Sequence, residues 1–134
     1  MSEKIVVVSG KRKTAVARAV GRSGNGKVLV NSVPLEIFTP EVARLKIAEP
    51  ISIAGRDLAD RVDISVKVEG GGIMGQAEAT RVVVSNILSE FGGAEVRRRL
   101  LGYDRRMLVE DPRRTESKKF GGHSARRRKQ KSYR

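Results

Sequence analysis

The stretch Val62-Asp63-Ile64-Ser65-Val66-Lys67-Val68-Glu69, followed by Gly70-Gly71-Gly72 and then by the run from Ile73 to Phe91, decides the fold. Its first eight residues alternate apolar and polar with a period of two, which marks a strand with one buried face. The glycines end that strand. Beyond them Ile73, Ala77, Thr80, Val84, Ile87, Leu88 and Phe91 recur at three- and four-residue spacing, the pattern of a long helix laying one stripe on a sheet. Val82-Val83-Val84 weakens the intrinsic propensity of this helix, so it must rely on tertiary packing. Gly92-Gly93 interrupts it, and Ala94 to Leu101 can form a further short helix before Gly102.

Outward from this stretch, towards the N-terminus, Ile5 to Val8 is a β-branched run stopped by Ser9-Gly10, and Thr14 to Val20 alternate towards Gly21. Both read as strands. Ser23-Gly24-Asn25-Gly26 contains an Asn-Gly pair suited to the positive φ of a tight turn, and Val28 to Val30 follow it. This predicts a β-hairpin joining the second and third strands. Thr39 as a cap and Pro40 at the first helical position open a short helix carrying Val42, Leu45 and Ile47, expected to stop near Pro50. Four strands and two or three helices, without internal repeats, predict an α+β fold in which helices pack on a small mixed β-sheet.

Charge divides the chain differently. The 134 residues hold 28 Lys and Arg against 15 Asp and Glu, a formal net charge of +13. So large an excess on a chain of one domain's length points to a polyanionic partner. Residues 1–96 carry 13 cations and 11 anions, a net of +2, which leaves +11 for residues 97–134. The expected organisation is a globular α+β RNA-binding domain over residues 1–102 and an extended basic tail over residues 103–134. The tail, rich in Arg, Lys, Gly and Ser, is expected to be disordered when free. From Pro112 onward it would span about 75 Å at roughly 3.3 Å per residue.

RNA is preferred to an anionic membrane as the partner. The tail has no leucine or tryptophan from Arg113 onward, as an amphipathic membrane helix would require, whereas Phe120 and Tyr133 suit stacking on bases between phosphate-pairing cations. The absence of cysteine removes disulfides, thiolate zinc sites and cysteine nucleophiles. The apolar run near the start is too short for a secretory signal, and no stretch approaches the roughly 18 apolar residues of a transmembrane helix. A soluble, cytoplasmic protein is expected. No nucleophile and base pair stands out, so neither an enzyme nor a cofactor nor a metal is expected.

Several motifs have more than one reading. Gly70-Gly71-Gly72-Ile73-Met74-Gly75 satisfies the G-x-G-x-x-G dinucleotide pattern, yet the second parallel strand ending in an acidic residue does not follow. The glycines either permit close backbone packing or place amides at a helix N-terminus for an RNA phosphate, and the two are compatible. Lys11, Arg12, Lys13 and Arg18 either blunt a sheet edge or contact RNA. His123 stands alone and makes a poor metal site. Asp57, Asp60 and Asp63 are spaced too loosely for a calcium loop and read as surface charges.

Three blocks of residues together carry a family resemblance. Gly10-Lys11-Arg12-Lys13-Thr14-Ala15-Val16-Ala17-Arg18, then Gly70-Gly71-Gly72 through Gly75-Gln76-Ala77, and Asp111-Pro112-Arg113 with Lys118-Lys119-Phe120-Gly121 resemble the universal small-subunit ribosomal protein nine family over essentially the whole chain. The closing Gln130-Lys131-Ser132-Tyr133-Arg134 is similar to its archaeal and eukaryotic branch, and the short N-terminus favours the archaeal one. The resemblance implies a fold like the second domain of ribosomal protein five, with a left-handed βαβ crossover contrary to the usual hand. It implies a structural place in the head of the small subunit, on the 3′ major domain of its RNA, as a monomer beside other head proteins. It also implies a tail tip that meets the anticodon stem-loop of peptidyl-site tRNA.

The rRNA contacts expected on this basis are Lys11, Arg12, Lys13 and Arg18 early in the chain, and Gly71, Gly72 and Gln76 at the helix opening. In the tail they are Arg113, Arg114, Lys118, Lys119, Phe120, Arg126, Arg127, Arg128 and Lys129. Arg134 is expected on tRNA, supported by Lys131 and Tyr133. Bacterial members of the family usually have glycine where Glu78 stands, which separates this turn of the helix from theirs.

Overall fold

The computed structural model describes residues 4–109, 112–113, 116–123 and 125–127. Among these residues five strands, β1 (Ile5–Arg12), β2 (Ala15–Ser23), β3 (Val28–Val30), β4 (Val33–Pro34) and β5 (Val62–Glu69), form one sheet in the order β1-β2-β5-β3-β4. The helices are α1 (Glu41–Ala54), the one-turn α2 (Arg56–Ala59) and α3 (Ile73–Tyr103), with 3-10 turns at Leu35–Ile37 and Arg105–Met107. Antiparallel β1-β2, β2-β5 and β3-β4 pairs combine with a parallel β3-β5 pair. The mixed sheet with helices packed on it is the expected α+β architecture, and β3, α1 and β5 form its βαβ unit.

The expected hairpin between β2 and β3 does not form, because β5 lies between them. The loop 24–27 instead strides over the start of β5, crossing two strand spacings, roughly 10 Å. Asp63 makes this possible. Its Oδ1 accepts from the backbone N–H of both Asn25 and Lys27 at 2.9 Å, while the Gly24 N–H donates to the Arg61 carbonyl at 2.8 Å. Gly26 does take a positive φ of 89°, so the turn chemistry was legible although the strand it led to was not the neighbour.

Helix α1 starts one residue later than expected, with Pro40 at the N-cap and no side-chain cap from Thr39. It also passes through Pro50 and ends at Ala54. Proline removes one helical hydrogen bond, but Ala43, Ile47, Pro50 and Ala54 form one buried row facing α3, and that packing carries the helix past the break.

The core lies between the sheet and α3. Ala15, Ala17 and Ala19 of β2 and Val62, Ile64, Val66 and Val68 of β5 point to the same side, all at most 5% exposed. The small residues of β2 let α3 come close: a Cβ on Gly21 would stand 2.4 Å from Ile87 Cγ2. Burial on α3 is not the single stripe its spacing suggested. From Ala79 to Ser89 every residue except Asn86 is buried, while Ile73 is exposed. The sheet covers one side of the helix and α1 the other, which explains why a β-branched run is accommodated there. Thr80 and Ser85 satisfy their hydroxyls within the helix, on the carbonyls of Gln76 and Arg81.

Gly93 breaks α3 as expected, with φ 75° and ψ −162°. Packing then continues beyond residue 102, since Met107 and Leu108 are buried in the same core. Among the described residues no helix lies over the opposite face of the sheet, and Ile5 and Val7 of β1 stand exposed there.

Candidate nucleic-acid interface

Two turns meet at one corner of the fold. The β1-β2 turn carries Lys11, Arg12 and Lys13, and the glycine turn after β5 leads into α3. Gly70 and Gly71 both have positive φ, 79° and 65°. A Cβ on Gly70 would lie 2.5 Å from the Thr14 carbonyl oxygen, and one on Gly71 would lie 3.1 Å from the Ala15 nitrogen. Close backbone packing is therefore what these two glycines provide. Gly72 differs: it is the N-cap of α3, and a side chain there would face open space.

Gln76, expected to touch RNA, donates its side-chain amide to the Gly70 carbonyl at 3.0 Å and so staples the glycine turn to the helix. The result is a shallow cleft bordered by Arg12, Lys13, Thr14, Gly71, Gly72, Met74, Gly75 and Glu78. The first turn of α3 opens here with no acidic residue in it. Its unbonded N–H groups and positive dipole end favour an anion.

Behind the corner lies a charge network that sequence reading missed. Glu78 of α3 accepts from Arg12 Nε through Oε2 at 2.5 Å and from Lys46 Nζ of α1 through Oε1 at 2.9 Å. Burial pushes the Glu78 carboxyl upward, but the hydrogen bonds and charges of Lys46 and Arg12 outweigh it and hold the group below its ordinary value. One turn along α3, Arg81 pairs with Glu49 at 2.8 Å and with Asp104 at 3.3 Å. The signal was present in the spacing. Lys46 and Glu49 on α1, and Glu78 and Arg81 on α3, are each three residues apart with opposite order of sign.

The other expected residues are dispersed. Arg18 lies on the bare sheet face, in register with Ser9 of β1 and Lys67 of β5, away from the corner. Arg113, Lys118, Lys119, Phe120, Arg126 and Arg127 are exposed, and Lys119 and Arg126 share the carboxylate of Glu116. His123 is exposed. Arg114, Arg128, Lys129, Lys131, Tyr133 and Arg134 lie outside the described residues. Asp63, read as a surface charge, is the anchor of the loop over β5. Backbone hydrogen bonding, chiefly from the Lys27 N–H, holds its carboxyl below the ordinary value.

Among the described residues no strand follows α3, so the parallel partner that a dinucleotide site requires is missing. No group of three His, Cys, Asp or Glu able to hold a metal occurs among them. No described helix is long and apolar enough to cross a membrane.

Comparison with known proteins agrees over nearly the whole chain. The family model for "Ribosomal protein S9/S16" matches residues 10–134. Three proteins named "Small ribosomal subunit protein uS9" are similar at full length. That of Aeropyrum pernix is 50% identical, covering 98% of each chain. That of Desulfurococcus amylolyticus is 55% identical, covering 98% of this chain and 94% of its own. That of Halobacterium salinarum is 53% identical, covering 94% and 96%. With the glycine turn, the cationic β1-β2 turn and this match in hand, the chain belongs to the ribosomal protein S9/S16 family.

Proposed function

We propose that this chain, a structural and non-enzymatic component of the small ribosomal subunit, binds rRNA of the subunit head through the corner formed by its β1-β2 turn and the start of α3, and through its basic tail. The observation that carries this reading is the convergence of Lys11 and Lys13, the open N-terminus of α3 and the tail root at Arg113 on one side of the body, where Lys11 and Arg113 line the same cleft. Lys11 and Lys13 are exposed and available to phosphates, whereas Arg12 sets the position of the turn through Glu78. Phosphate neutralisation of this kind releases counterions, so affinity for head rRNA falls steeply with salt, with a log-log slope of about 0.7 to 0.9 per contact. Titration of a 3′ major domain fragment at several salt concentrations tests the reading, and a salt-independent affinity would overturn it.

The finer part of the proposal concerns the tail. Its similarity to the family supports a path inward, with Lys131, Tyr133 and Arg134 on the anticodon stem-loop of peptidyl-site tRNA, in a ribosome-bound, cytoplasmic protein beside other head proteins. One charge-assisted contact contributes about 1.5 to 3 kcal/mol, so a positioning role fits better than an essential one. Removing residues 131–134 weakens peptidyl-site tRNA binding while subunit assembly proceeds. Unchanged tRNA affinity in such subunits would refute the assignment.

A further inference from the structure

Beyond its break at Gly93, α3 changes direction and character. Gly93 holds a conformation reserved for glycine, φ 75° and ψ −162°, at a place where a side chain would meet nothing within 4 Å, so it sets the path of the chain and not its packing. The path is a reversal. Asp104 Oδ2 accepts from Arg81 at 3.3 Å and the Leu108 carbonyl accepts from Asn86 Nδ2 at 3.5 Å, so residues 94–103 run back along the first part of the helix. Stretches 81–92 and 93–104 are of equal length, as such a return at constant helical rise requires. Two buried side chains, Val96 and Leu100, hold this arm to the core.

The outer side of the arm is cationic. Ala94, Arg97, Arg98 and Leu101, at three- and four-residue spacing, form one exposed row, with Tyr103, 60% exposed, and Arg105 at its end. A solvated helix interleaves both signs, as α1 does with Glu41, Arg44, Lys46 and Glu49. The arm does not. Glu95 is taken by Arg99 at 2.6 Å, and Asp104 serves Arg81 and the Arg106 N–H. The side chains of Arg97, Arg98 and Arg105 make no hydrogen bond or ion pair among the described residues. Nor do Arg97 and Arg98 complement the helix dipole, since no cation stands in its last turn. Neighbouring guanidinium groups without an anion, beside an exposed tyrosine, have the chemistry of a phosphate-binding surface: forked donors for phosphate oxygens and a ring for a base or ribose.

We propose that the arm, residues 94–105, is a further rRNA contact, taking phosphodiesters of the RNA backbone on Arg97, Arg98 and Arg105. It deepens the rRNA-binding reading and rests on it. Because the chain reverses at Gly93, the end of the arm at Asp104 lines the same cleft as Lys11. Arm and corner therefore form one track, along which an RNA strand passes from the start of α3 onto the arm.

The test compares the full chain with R97Q/R98Q and K13Q on a 3′ major domain fragment at several salt concentrations. R97Q/R98Q should weaken binding about tenfold or more and lower the salt slope by about 1.4 to 1.8, with the urea midpoint unchanged because both side chains are exposed and unpaired. Unchanged affinity and slope in R97Q/R98Q, with a lowered slope in K13Q, overturn the arm and leave the rRNA reading standing. Salt-independent binding by the unmodified chain removes the rRNA reading itself, and the arm with it. A second measurement leaves every arginine in place. The chain has no cysteine, so A94C takes a single tethered hydroxyl-radical source on the exposed row. In assembled small subunits it should cut head rRNA on the strand cut from K13C. Cuts from K13C with none from A94C would mean that the arm faces a protein or solvent, and would overturn the proposal even if R97Q/R98Q proved unstable.

Discussion

Arg12 on β1 and Glu78 on α3 form a hydrogen-bonded ion pair, Nε to Oε2 at 2.5 Å, whose carboxylate simultaneously binds Lys46 of α1 through its other oxygen. One side chain thus ties the turn that presents Lys11 and Lys13 to both core helices. Glu78 stands where the family resemblance sets this turn of the helix apart from bacterial members, which usually have glycine there. Its geometry gives it a structural task, neutralising two cations and fixing the corner.

Substituting Glu78 by Gln should destabilise the fold by about 1 to 3 kcal/mol, because the partly buried Arg12 and Lys46 then lose their charged acceptor. The pH dependence follows from its lowered carboxyl. A group whose folded-state pKa lies below its unfolded value contributes stability above the unfolded value and loses it as pH falls through the folded one. Urea denaturation across the acid range should therefore show a decline in the native protein that is shallower in E78Q. Parallel acid profiles for the two would contradict this.

Gly70 and Gly72 stand two residues apart and should respond oppositely to alanine. At Gly70 the positive φ and a backbone oxygen 2.5 Å from the added Cβ both oppose the change. G70A should cost about 1 to 3 kcal/mol and loosen the corner. At Gly72, with φ −97° and open space, G72A should stay within about 0.5 kcal/mol. Equal losses in urea midpoint would mean that the glycine turn does not pack on Thr14 as described.

Asp63 provides a third test. Replacing it with alanine removes the acceptor for the Asn25 and Lys27 N–H groups, so the loop over β5 should loosen and the unfolding temperature fall. D63N keeps an oxygen at the same place and should recover much of the loss. Its lowered carboxyl also makes this contribution one that is present above the ordinary carboxylate range and fades as pH drops below it. Amide exchange at Asn25 and Lys27 reads the effect locally, and unchanged protection in D63A would refute it.

Local rules foresaw what local forces decide. The alternation of Val62 to Glu69, the break at Gly93 and the positive φ of Gly26 were all readable, because each depends on residues nearby. Strand order was not. The Asn25-Gly26 signal specifies a turn but not which strand it delivers, and the deciding contact, Asp63 with Asn25, spans 38 positions. Pro50 inside α1 and the all-round burial of α3 were hidden for the same reason, as each is imposed by an element packed from elsewhere. At the site, the cations were found by counting, but their division into exposed and internally paired ones needed the partners Glu78, Glu49 and Asp104.

That division makes Lys13 and Arg12, adjacent in sequence, separable by experiment. Lys13 sits at the tip of the β1-β2 turn with φ 56°, exposed beside the open start of α3. Arg12 has a side chain only 16% exposed, and its field is offset by Glu78. Removing Lys13 deletes a cation free to meet a phosphate, whereas removing Arg12 deletes one half of an internal pair. K13Q should therefore lower the salt slope of head-rRNA binding by about 0.7 to 0.9 with little change in stability. R12Q should do the reverse, costing about 1 to 3 kcal/mol of folding free energy while its slope stays close to that of the unmodified chain. Salt-dependent titration and urea denaturation on the two variants give four numbers. If R12Q lowers the slope as much as K13Q does, Glu78 does not shield Arg12 from RNA, and the corner engages its ligand through both residues.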